Sequence, residues 1–253
     1  MKMIDRRIPV TFDYNMYSVS SYGIILYAHR EQKWLVVQRK HSFELLLLLQ
    51  GMYRPTYLHL YCQGLHRNEI AMINRILTEG DQYLRTVYRE LRLSFHNFHA
   101  GLYMFIMYQE LYRTILASCR GRELQWNFPR GRNEYCESGD TTARREFAEE
   151  VGCSIPDNAQ IVSDKFIEDR STSLFDCRFF HYYKIYRVPH IFDLPPVSPT
   201  DREVAARKWI DDSQLEQYHP IGNPRLITEL RRLITHGPWN LPIDSISRNL
   251  TIN

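Results

Sequence analysis

Three glutamates in the segment RREFAEEVG have the residue type and the spacing to carry out chemistry. Glu146, Glu149 and Glu150 lie three and four positions apart, so a helix would project all three from a sector about 100° wide. Like charges at this spacing repel, and more strongly where water is excluded. Mg²⁺ or Mn²⁺ relieves the repulsion because hard cations prefer carboxylate and phosphate oxygens. The pattern therefore predicts a divalent-metal site; the alternative is a solvated helix face.

The glutamates belong to a longer pattern that begins at Gly131 and ends at Cys153. The segment GRNEYCESGDTTARREFAEEVGC resembles the Nudix box, Gly-x5-Glu-x7-Arg-Glu-U-x-Glu-Glu-x-Gly-U with U apolar, at every fixed position. Such a match arises by chance on the order of once in a billion starting positions. The resemblance implies an α+β fold of the Nudix α/β/α sandwich type with a mixed sheet. It also implies a Nudix hydrolase, a class of enzymes that cleave diphosphates attached to another moiety.

Several positions of the box have a physical task of their own. Gly131 and Gly152 suit the backbone geometry of a loop and of a helix end. Arg145 can pair with Glu137 and so tie the loop to the helix. The resemblance further implies that Mg²⁺ or Mn²⁺ is bound by the remaining acidic residues, which are Glu146, Glu149 and Glu150.

Both flanks of the box resemble mRNA-decapping Nudix enzymes. Before the box, WNFPRGR is similar to their Trp-x-Phe/Ile-Pro-Lys/Arg-Gly-Lys stretch, which implies that Arg130, Gly131 and Arg132 lie beside the substrate phosphates. After the box, Glu203 precedes Trp209 by six residues, the spacing of a decapping segment whose glutamate supplies a further metal ligand. The first strand pair, VVQRKHSFEL and the helical segment before the box look like the decapping enzymes of large cytoplasmic DNA viruses.

The decapping resemblance implies hydrolysis of the 5′ cap of mRNA to 7-methyl-GDP and 5′-monophosphate RNA. Glu150 is then the expected general base, with Glu149 as the second catalytic residue. A methylated guanine is positively charged and gains from aromatic rings on its faces. Phe43 and Phe175 are the candidates for that clamp, although either can instead belong to a core. The expected location is the cytoplasm, that of a host cell if the protein is viral.

Residues 41–120 lack strand-like alternation and predict an all-helical insertion that is a candidate for RNA binding. Within it, Arg85, Arg89 and Arg92 follow an i, i+4, i+7 spacing and predict a basic stripe. Such a stripe can bind RNA phosphates, but it is also typical of an ordinary solvated helix face. Capped mRNA is the partner that this segment would bind.

The elements around the insertion predict one α+β domain in two parts, residues 1–40 and 121–253. Strands are predicted at YSVSSYGIILYA, KWLVVQRK, RFFHYYKIYRV and EVAARKWID, which are rich in β-branched and aromatic residues. DTTARREFAEEVGC predicts a helix capped by Asp140 and closed by Gly152, and NPRLITELRRLITHG predicts a last helix. In this arrangement a sheet would support the acidic helix.

Charge and cysteine content narrow the setting but name no partner. A net charge of +3 over 253 residues means that affinity for nucleic acid requires a local basic patch. The five cysteines are odd in number and form no C-x-x-C pair, which argues against a disulfide framework and a zinc site. The sequence shows no apolar run long enough to span a bilayer and no secretory signal at its start. We expect a protein of a reducing compartment without a membrane span; its oligomeric state is open.

Two other functions are compatible with the same residues. A hydrolase of small polyphosphates, such as diphosphoinositol polyphosphates or dinucleoside polyphosphates, would use the same metal chemistry without needing a large helical insertion. A non-catalytic RNA-binding protein of the same fold would have no physical reason to keep three repelling glutamates. The intact acidic pattern therefore favours an enzyme.

Overall fold

The computed structural model describes residues 18–163, 165–172, 178–201, 203–216 and 224–236. Eight strands are found within these ranges: β1 Ser18–Ala28, β2 Lys33–Arg39, β3 Trp126–Asn127, β4 Arg130–Gly131, β5 Gln160–Ile161, β6 Ile167–Thr172, β7 Arg178–Val188 and β8 Val204–Asp211. The same described ranges contain the α-helices α1 Phe43–Leu49, α2 Leu58–Gly64, α3 Arg67–Glu79, α4 Asp81–Glu90, α5 Phe98–Met107, α6 Gln109–Ser118, α7 Gly139–Val151 and α8 Pro224–His236. Phe175, one of the two predicted clamp residues, lies outside the described residues.

The strands form one mixed sheet with β1 near its centre. β1 pairs in parallel with β7 over its whole length, from Ser18 opposite Arg178 to Ala28 opposite Val188. The path through the sheet is β3-β2-β1-β7-β5, while β4 pairs with β1, β6 with β7, and β8 with β2. The predicted α+β class with a mixed sheet is confirmed.

Successive side chains of the central strands point to opposite faces of the sheet, and apolar residues cover both faces. Ile24 and Leu26 of β1 face a core that includes Ala143 and Phe147 of α7. Ile25 of β1 faces the opposite core, which includes residues of α8 such as Leu226 and Leu230. The sheet is therefore sandwiched between α7 and α8, and the apolar side of α7 fixes its acidic side relative to the strands.

Helices α1–α6 pack around an apolar core of their own, separate from both cores of the sheet. Its fully buried members come from several helices and include Leu48, Ile73, Leu84 and Tyr112. All six helices fall within the segment 41–120, where the sequence predicts a helical insertion. None of the described helices has the length and hydropathy that crossing a membrane requires.

Glu69 joins the beginnings of two helices in this segment. Its carboxylate accepts hydrogen bonds from the backbone N–H and the Oγ of Ser42, both at 2.6 Å, and from the backbone N–H of His66 at 2.8 Å. Ser42 caps α1 and His66 caps α3, so one buried carboxylate satisfies donors at both N-termini. Glu69 is only 2% exposed, which makes this junction part of the interior.

Helix α7 begins two residues earlier than the sequence predicts. Ser138, not Asp140, is its cap: Ser138 Oγ accepts a hydrogen bond from the backbone N–H of Thr141 at 3.1 Å. Asp140 lies in the first turn, where its carboxylate accepts a hydrogen bond from Lys184 Nζ at 2.8 Å. Both residue types are good caps, so the sequence alone could not separate them. The helix ends at Gly152 in the left-handed conformation with φ of 79°, as predicted.

Candidate metal and phosphate site

Glu150 is the most deeply buried of the three glutamates, with 3% exposure. Its Oε2 accepts a hydrogen bond from the backbone N–H of Arg130 at 2.9 Å, and its Oε1 lies 3.9 Å from Nη2 of Arg39. Burial raises the pKa of Glu150 to about 7, against the lowering effect of Arg39 and the Arg130 amide. A carboxyl group with this pKa can exchange a proton near neutral pH, as a general base must.

Glu146 lies beside the glycine that opens the acidic motif. A Cβ added to Gly131 would come within 1.9 Å of the Glu146 carboxyl carbon, so a larger residue there would force the Glu146 carboxylate to move. Burial raises the pKa of Glu146, and the charges of Glu149 and Glu203 raise it further against the opposing effect of Arg145. Glu203 likewise raises the pKa of Glu150. The charges of Glu146, Glu150 and Glu203 thus act on one another within a single site.

Arg145 is the centre of an ion-pair network on α7. Its Nε and Nη2 donate to the two carboxylate oxygens of Glu137 at 2.9 and 3.0 Å, a bidentate pair that ties the loop to the helix. Its Nη1 donates to Glu146 at 2.9 Å and to Glu149 at 3.0 Å. Hydrogen bonding to Arg145 is the largest cause that lowers the pKa of Glu137 to about 2.

The three glutamates differ in their surroundings more than one shared helix face predicts. Glu146 and Glu150 are buried, whereas the side chain of Glu149 is 58% exposed. Glu146 and Glu149 share Nη1 of Arg145, while Glu150 contacts the WNFPRGR segment instead. The difference follows from packing: strand β4 covers the part of α7 from which Glu146 and Glu150 project.

The donor set fits a hard divalent cation in its chemistry. Glu146, Glu149, Glu150 and Glu203 offer carboxylate oxygens only, and the mutual effects on pKa indicate repulsion that an ion would relieve. In the described part of the chain, no three acidic, histidine or cysteine side chains are close enough together to hold a metal ion as they stand. Arg145 supplies the positive charge between Glu146 and Glu149 in this arrangement.

Glu203 is positioned by the chain that enters β8. Its backbone oxygen accepts a hydrogen bond from the backbone N–H of Lys40 at 2.7 Å, and its own N–H donates to Asp201 Oδ1 at 3.0 Å. The pairing of β2 with β8 shifts register between Gln38 and Arg39. Irregularities of this kind redirect side chains next to functional sites. Arg39 lies opposite Val204, so Arg39 and Glu203 lie at the same end of the sheet.

A cleft of about 580 Å³ lies between this end of the sheet and the helical segment. One wall carries Arg39, Thr200 and Glu203, which belong to or adjoin β2 and β8. The other wall includes Leu46, Arg92 and Leu93 of the helical segment. We call it the Arg39–Arg92 cleft. Sequence reasoning did not single out Arg39, because only the pairing of β2 with β8 and the fold of α7 bring it near Glu150 and Glu203.

The residues of the WNFPRGR segment contact the glutamates mainly through their backbone. The backbone N–H of Arg130 donates a hydrogen bond to Glu150, and its side-chain Nη1 donates a second one to the Tyr183 hydroxyl. The carbonyl oxygen of Arg132 accepts a hydrogen bond from Nη2 of Arg145 at 3.0 Å, and its side chain is exposed. Phe43, the described clamp candidate, is half-buried at the start of α1 and packs against the helical core.

The predicted basic stripe is only partly formed. Arg85 and Arg89 lie on α4, and Arg85 pairs with Asp81 at 2.9 Å while its guanidinium lies over the ring of Phe98. Arg92 does not belong to the stripe, because α4 ends at Glu90 and Arg92 has a left-handed backbone with φ of 50°. It lines the Arg39–Arg92 cleft instead. A helical extrapolation past the end of α4 could not predict this.

Comparison with known proteins places the matched region across the site. A profile of the NUDIX domain matches residues 99–230. Among solved structures, a C. elegans Ap4A hydrolase binary complex is similar with 11% identity and a TM-score of 0.43, covering 85% of this chain and 93% of that one. The NUDIX domain of Shewanella oneidensis NrtR complexed with ADP ribose is similar with 14% identity and a TM-score of 0.41, covering 92% and 100%. No curated protein matches the sequence.

Proposed function

Because the chain belongs to the Nudix family of hydrolases, which act on nucleoside diphosphate-linked substrates, we propose that it removes the 5′ cap of mRNA. The products would be 7-methyl-GDP and 5′-monophosphate RNA. The observation that carries this proposal is the Arg39–Arg92 cleft, whose walls come from both the sheet and the helical segment. A substrate that fills it touches the helices as well as Glu203 and Arg39, which suits a nucleotide attached to a longer chain.

The proposed reaction gives each of the acidic residues a role. Water attacks a phosphorus atom, the P–O bond between the cap diphosphate and the RNA phosphate breaks, and Glu150 accepts the proton of the water. Mg²⁺ or Mn²⁺ held by Glu146, Glu149, Glu150 and Glu203 would polarise the phosphate and neutralise charge on the leaving group. The pKa of Glu150, about 7, suits it to the role of base, while the exposed Glu149 suits metal binding or assistance at the rim.

The WNFPRGR segment supports phosphate binding next to these carboxylates. The backbone N–H of Arg130 donates a hydrogen bond to Glu150, and the carbonyl oxygen of Arg132 accepts one from Arg145. The backbone around Gly131 is therefore held against α7. Guanidinium groups on this segment would neutralise the cap triphosphate. Phe43 stays a proposal for the aromatic clamp and would have to present its ring to the guanine from the start of α1.

The helical segment, residues 41–120, is proposed to bind the RNA chain. Arg85 and Arg89 on α4 are candidate phosphate contacts, and the exposed rings of Phe95 and Tyr103 are available for stacking on bases. In this proposal α7 and the strands next to it hydrolyse the cap, and the helical segment binds the RNA chain that follows it.

One specific observation favours a second candidate. A cleft of about 580 Å³ is within the usual size range of small-molecule sites, roughly 300–1,000 Å³, so a small polyphosphate could also fill it. Diphosphoinositol polyphosphates and dinucleoside polyphosphates are the substrates to compare with capped RNA.

One assay separates these functions. Cap-labelled RNA is incubated with the protein and Mg²⁺ or Mn²⁺, with and without excess uncapped RNA or free cap analogue. Release of 7-methyl-GDP that is inhibited by RNA and barely by cap analogue supports decapping. Hydrolysis of small polyphosphates alone selects the second candidate. Binding of RNA without any product would mean a non-catalytic RNA-binding protein and would overturn both.

A further inference from the structure

We propose that Arg92 binds a phosphate group of the nucleotide that adjoins the scissile diphosphate, so that the helical segment completes the active site. This inference rests on the proposed action on nucleotide-linked diphosphates and adds the residue that binds the substrate from the helical side. It assigns Arg92 a place in the catalytic cleft, not on the outer stripe of α4 with Arg85 and Arg89.

The backbone at Arg92 is unusual for an arginine. Arg92 donates from its N–H to the carbonyl of Arg89 at 3.2 Å, and Leu93 donates to the carbonyl of Tyr88 at 2.9 Å. These two bonds form a Schellman motif that ends α4, with Arg92 in the left-handed position that glycine usually takes. A long charged side chain in this conformation needs a reason outside local backbone preference.

The surroundings of Arg92 supply such a reason. Its side chain is exposed and lines the Arg39–Arg92 cleft. Within the ranges that the structure describes, Arg92 takes part in no ion pair, whereas Arg85 of the preceding helix α4 is paired with Asp81. Across the cleft, Arg39 approaches Glu150 to 3.9 Å, and Glu203 is the acidic residue of the lining. Two arginines on opposite walls therefore border the acidic site.

The lining points to a nucleotide more than to an inorganic anion. Arg39 and Arg92 offer planar guanidinium groups that match phosphate oxygens. Leu46 and Leu93 add apolar surface to the wall from which Arg92 projects. The phosphate of a nucleotide can bind the two arginines while its flat base covers Leu46 and Leu93. Pyrophosphate would contact the arginines only and leave the leucines exposed.

The test uses Arg92→Gly, because glycine keeps the left-handed backbone without strain. A matched control is Arg113→Ala, which removes an exposed arginine from α6 of the same helical segment, away from the cleft. Binding of a fluorescent capped 20-nucleotide RNA and of the cap dinucleotide is measured in EDTA, which prevents turnover, at several salt concentrations. Thermal unfolding checks that Arg92→Gly is at least as stable as wild type.

We expect Arg92→Gly to weaken RNA binding roughly tenfold, and its salt dependence to become shallower by about 0.7 in log–log slope, the loss of one single-strand phosphate contact. Weakening with both probes supports the inference, because both contain the nucleotide next to the scissile diphosphate. Weakening with the long RNA only would overturn it, because Arg92 would then bind phosphates farther along the RNA chain. The inference is overturned if Arg92→Gly binds both probes as Arg113→Ala does, or if the wild-type protein binds neither. If Arg92→Gly weakens binding but the wild type with metal releases no 7-methyl-GDP, decapping fails and the role of Arg92 stands.

Discussion

The backbone N–H of Arg130 donates a hydrogen bond to Oε2 of Glu150 at 2.9 Å. This bond fixes a side chain of α7 to the segment that precedes the acidic motif, although the two residues lie 20 positions apart. Because the donor is a backbone group, the bond does not depend on which side chain occupies position 130. It therefore orients the Glu150 carboxylate through the backbone, while the Arg130 guanidinium donates a hydrogen bond to the Tyr183 hydroxyl.

Replacing Glu150 tests its role as the base. Glu150→Gln keeps an acceptor for the Arg130 amide but cannot take up a proton, so we expect turnover of capped RNA to fall by a factor of about 10²–10⁴. Binding of RNA in EDTA should change little. The matched control is Glu134→Gln, which changes an exposed glutamate of the loop before α7 and should retain wild-type turnover. Normal turnover by Glu150→Gln would remove Glu150 from the role.

The raised pKa of Glu150 predicts a pH dependence of metal uptake. Since Mg²⁺ or Mn²⁺ needs the ionised carboxylate, affinity should rise with pH through about 7 and then level off. Calorimetry in two buffers with different heats of ionisation should detect proton release near pH 6.5 that disappears by pH 8.5. Equal affinity and no proton release at both pH values would show that Glu150 is not a ligand.

The raised pKa of the Glu150 carboxyl group also predicts how the stability of the metal-free protein depends on pH. The carboxyl pKa rises on folding from 4.5 to about 7, so its protonation stabilises the fold fully below 4.5, and this stability is lost as pH rises through 7. Unfolding in urea with EDTA should show a loss of about 2–3 kcal/mol between pH 5 and pH 8 from this group. Glu150→Gln should lack that part of the loss. A variant that keeps the full wild-type pH dependence would exclude this origin.

Arg145 offers a test of the ion-pair network. Arg145→Lys keeps the charge but loses the bidentate bond to Glu137 and cannot reach Glu146 and Glu149 with the same geometry. We expect turnover to fall about tenfold to a hundredfold, because the loop and the carboxylates lose their alignment. The adjacent Arg144→Lys serves as the control, since Arg144 is exposed and bonds only to the Tyr186 hydroxyl among the described residues. Equal losses in both variants would contradict a special role for Arg145.

Glu69 should matter for stability more than for chemistry. Glu69→Ala leaves three buried donors at the starts of α1 and α3 without an acceptor, which should lower the free energy of unfolding by about 3–5 kcal/mol. Glu79→Ala, which removes an exposed i,i+4 pair with Arg75, should leave the free energy of unfolding nearly unchanged. Urea denaturation measures both. Similar effects of the two substitutions would mean that the junction at Glu69 is not an important element of the fold.

The local patterns of the chain could be predicted well from sequence. The acidic motif fixes the glutamates that α7 presents to the site, and the β-branched and aromatic residues of β1 and β7 predict strands. The end of α7 at Gly152 follows from the special backbone freedom of glycine. These features depend on neighbours within a few residues, which the sequence shows directly.

Other parts of the site depend on long-range pairing and could not be predicted. Arg39 lies opposite Val204 of β8 and 3.9 Å from Glu150, both of which are far from it along the chain. Arg92 enters the cleft because α4 ends two residues before it, at a Schellman motif without glycine. Glu69 looks like one more charged residue of an amphipathic helix, although it is 2% exposed and bridges two N-termini. Hydrophobic periodicity reports local secondary structure, so it cannot predict any of these three long-range contacts.

The parallel pairing of β1 with β7 has a consequence for how the chain reaches its folded state. Partners such as Ser21 and His181 are 160 residues apart, so the centre of the sheet cannot close during synthesis until most of the polypeptide has left the ribosome. Helices α1–α6 contact mainly one another and carry short sequence separations, which favour rapid assembly. The β1–β2 hairpin would therefore remain without its partner β7 while the helical segment is already compact. A slow pairing of β1 with β7 would leave strand edges open to aggregation.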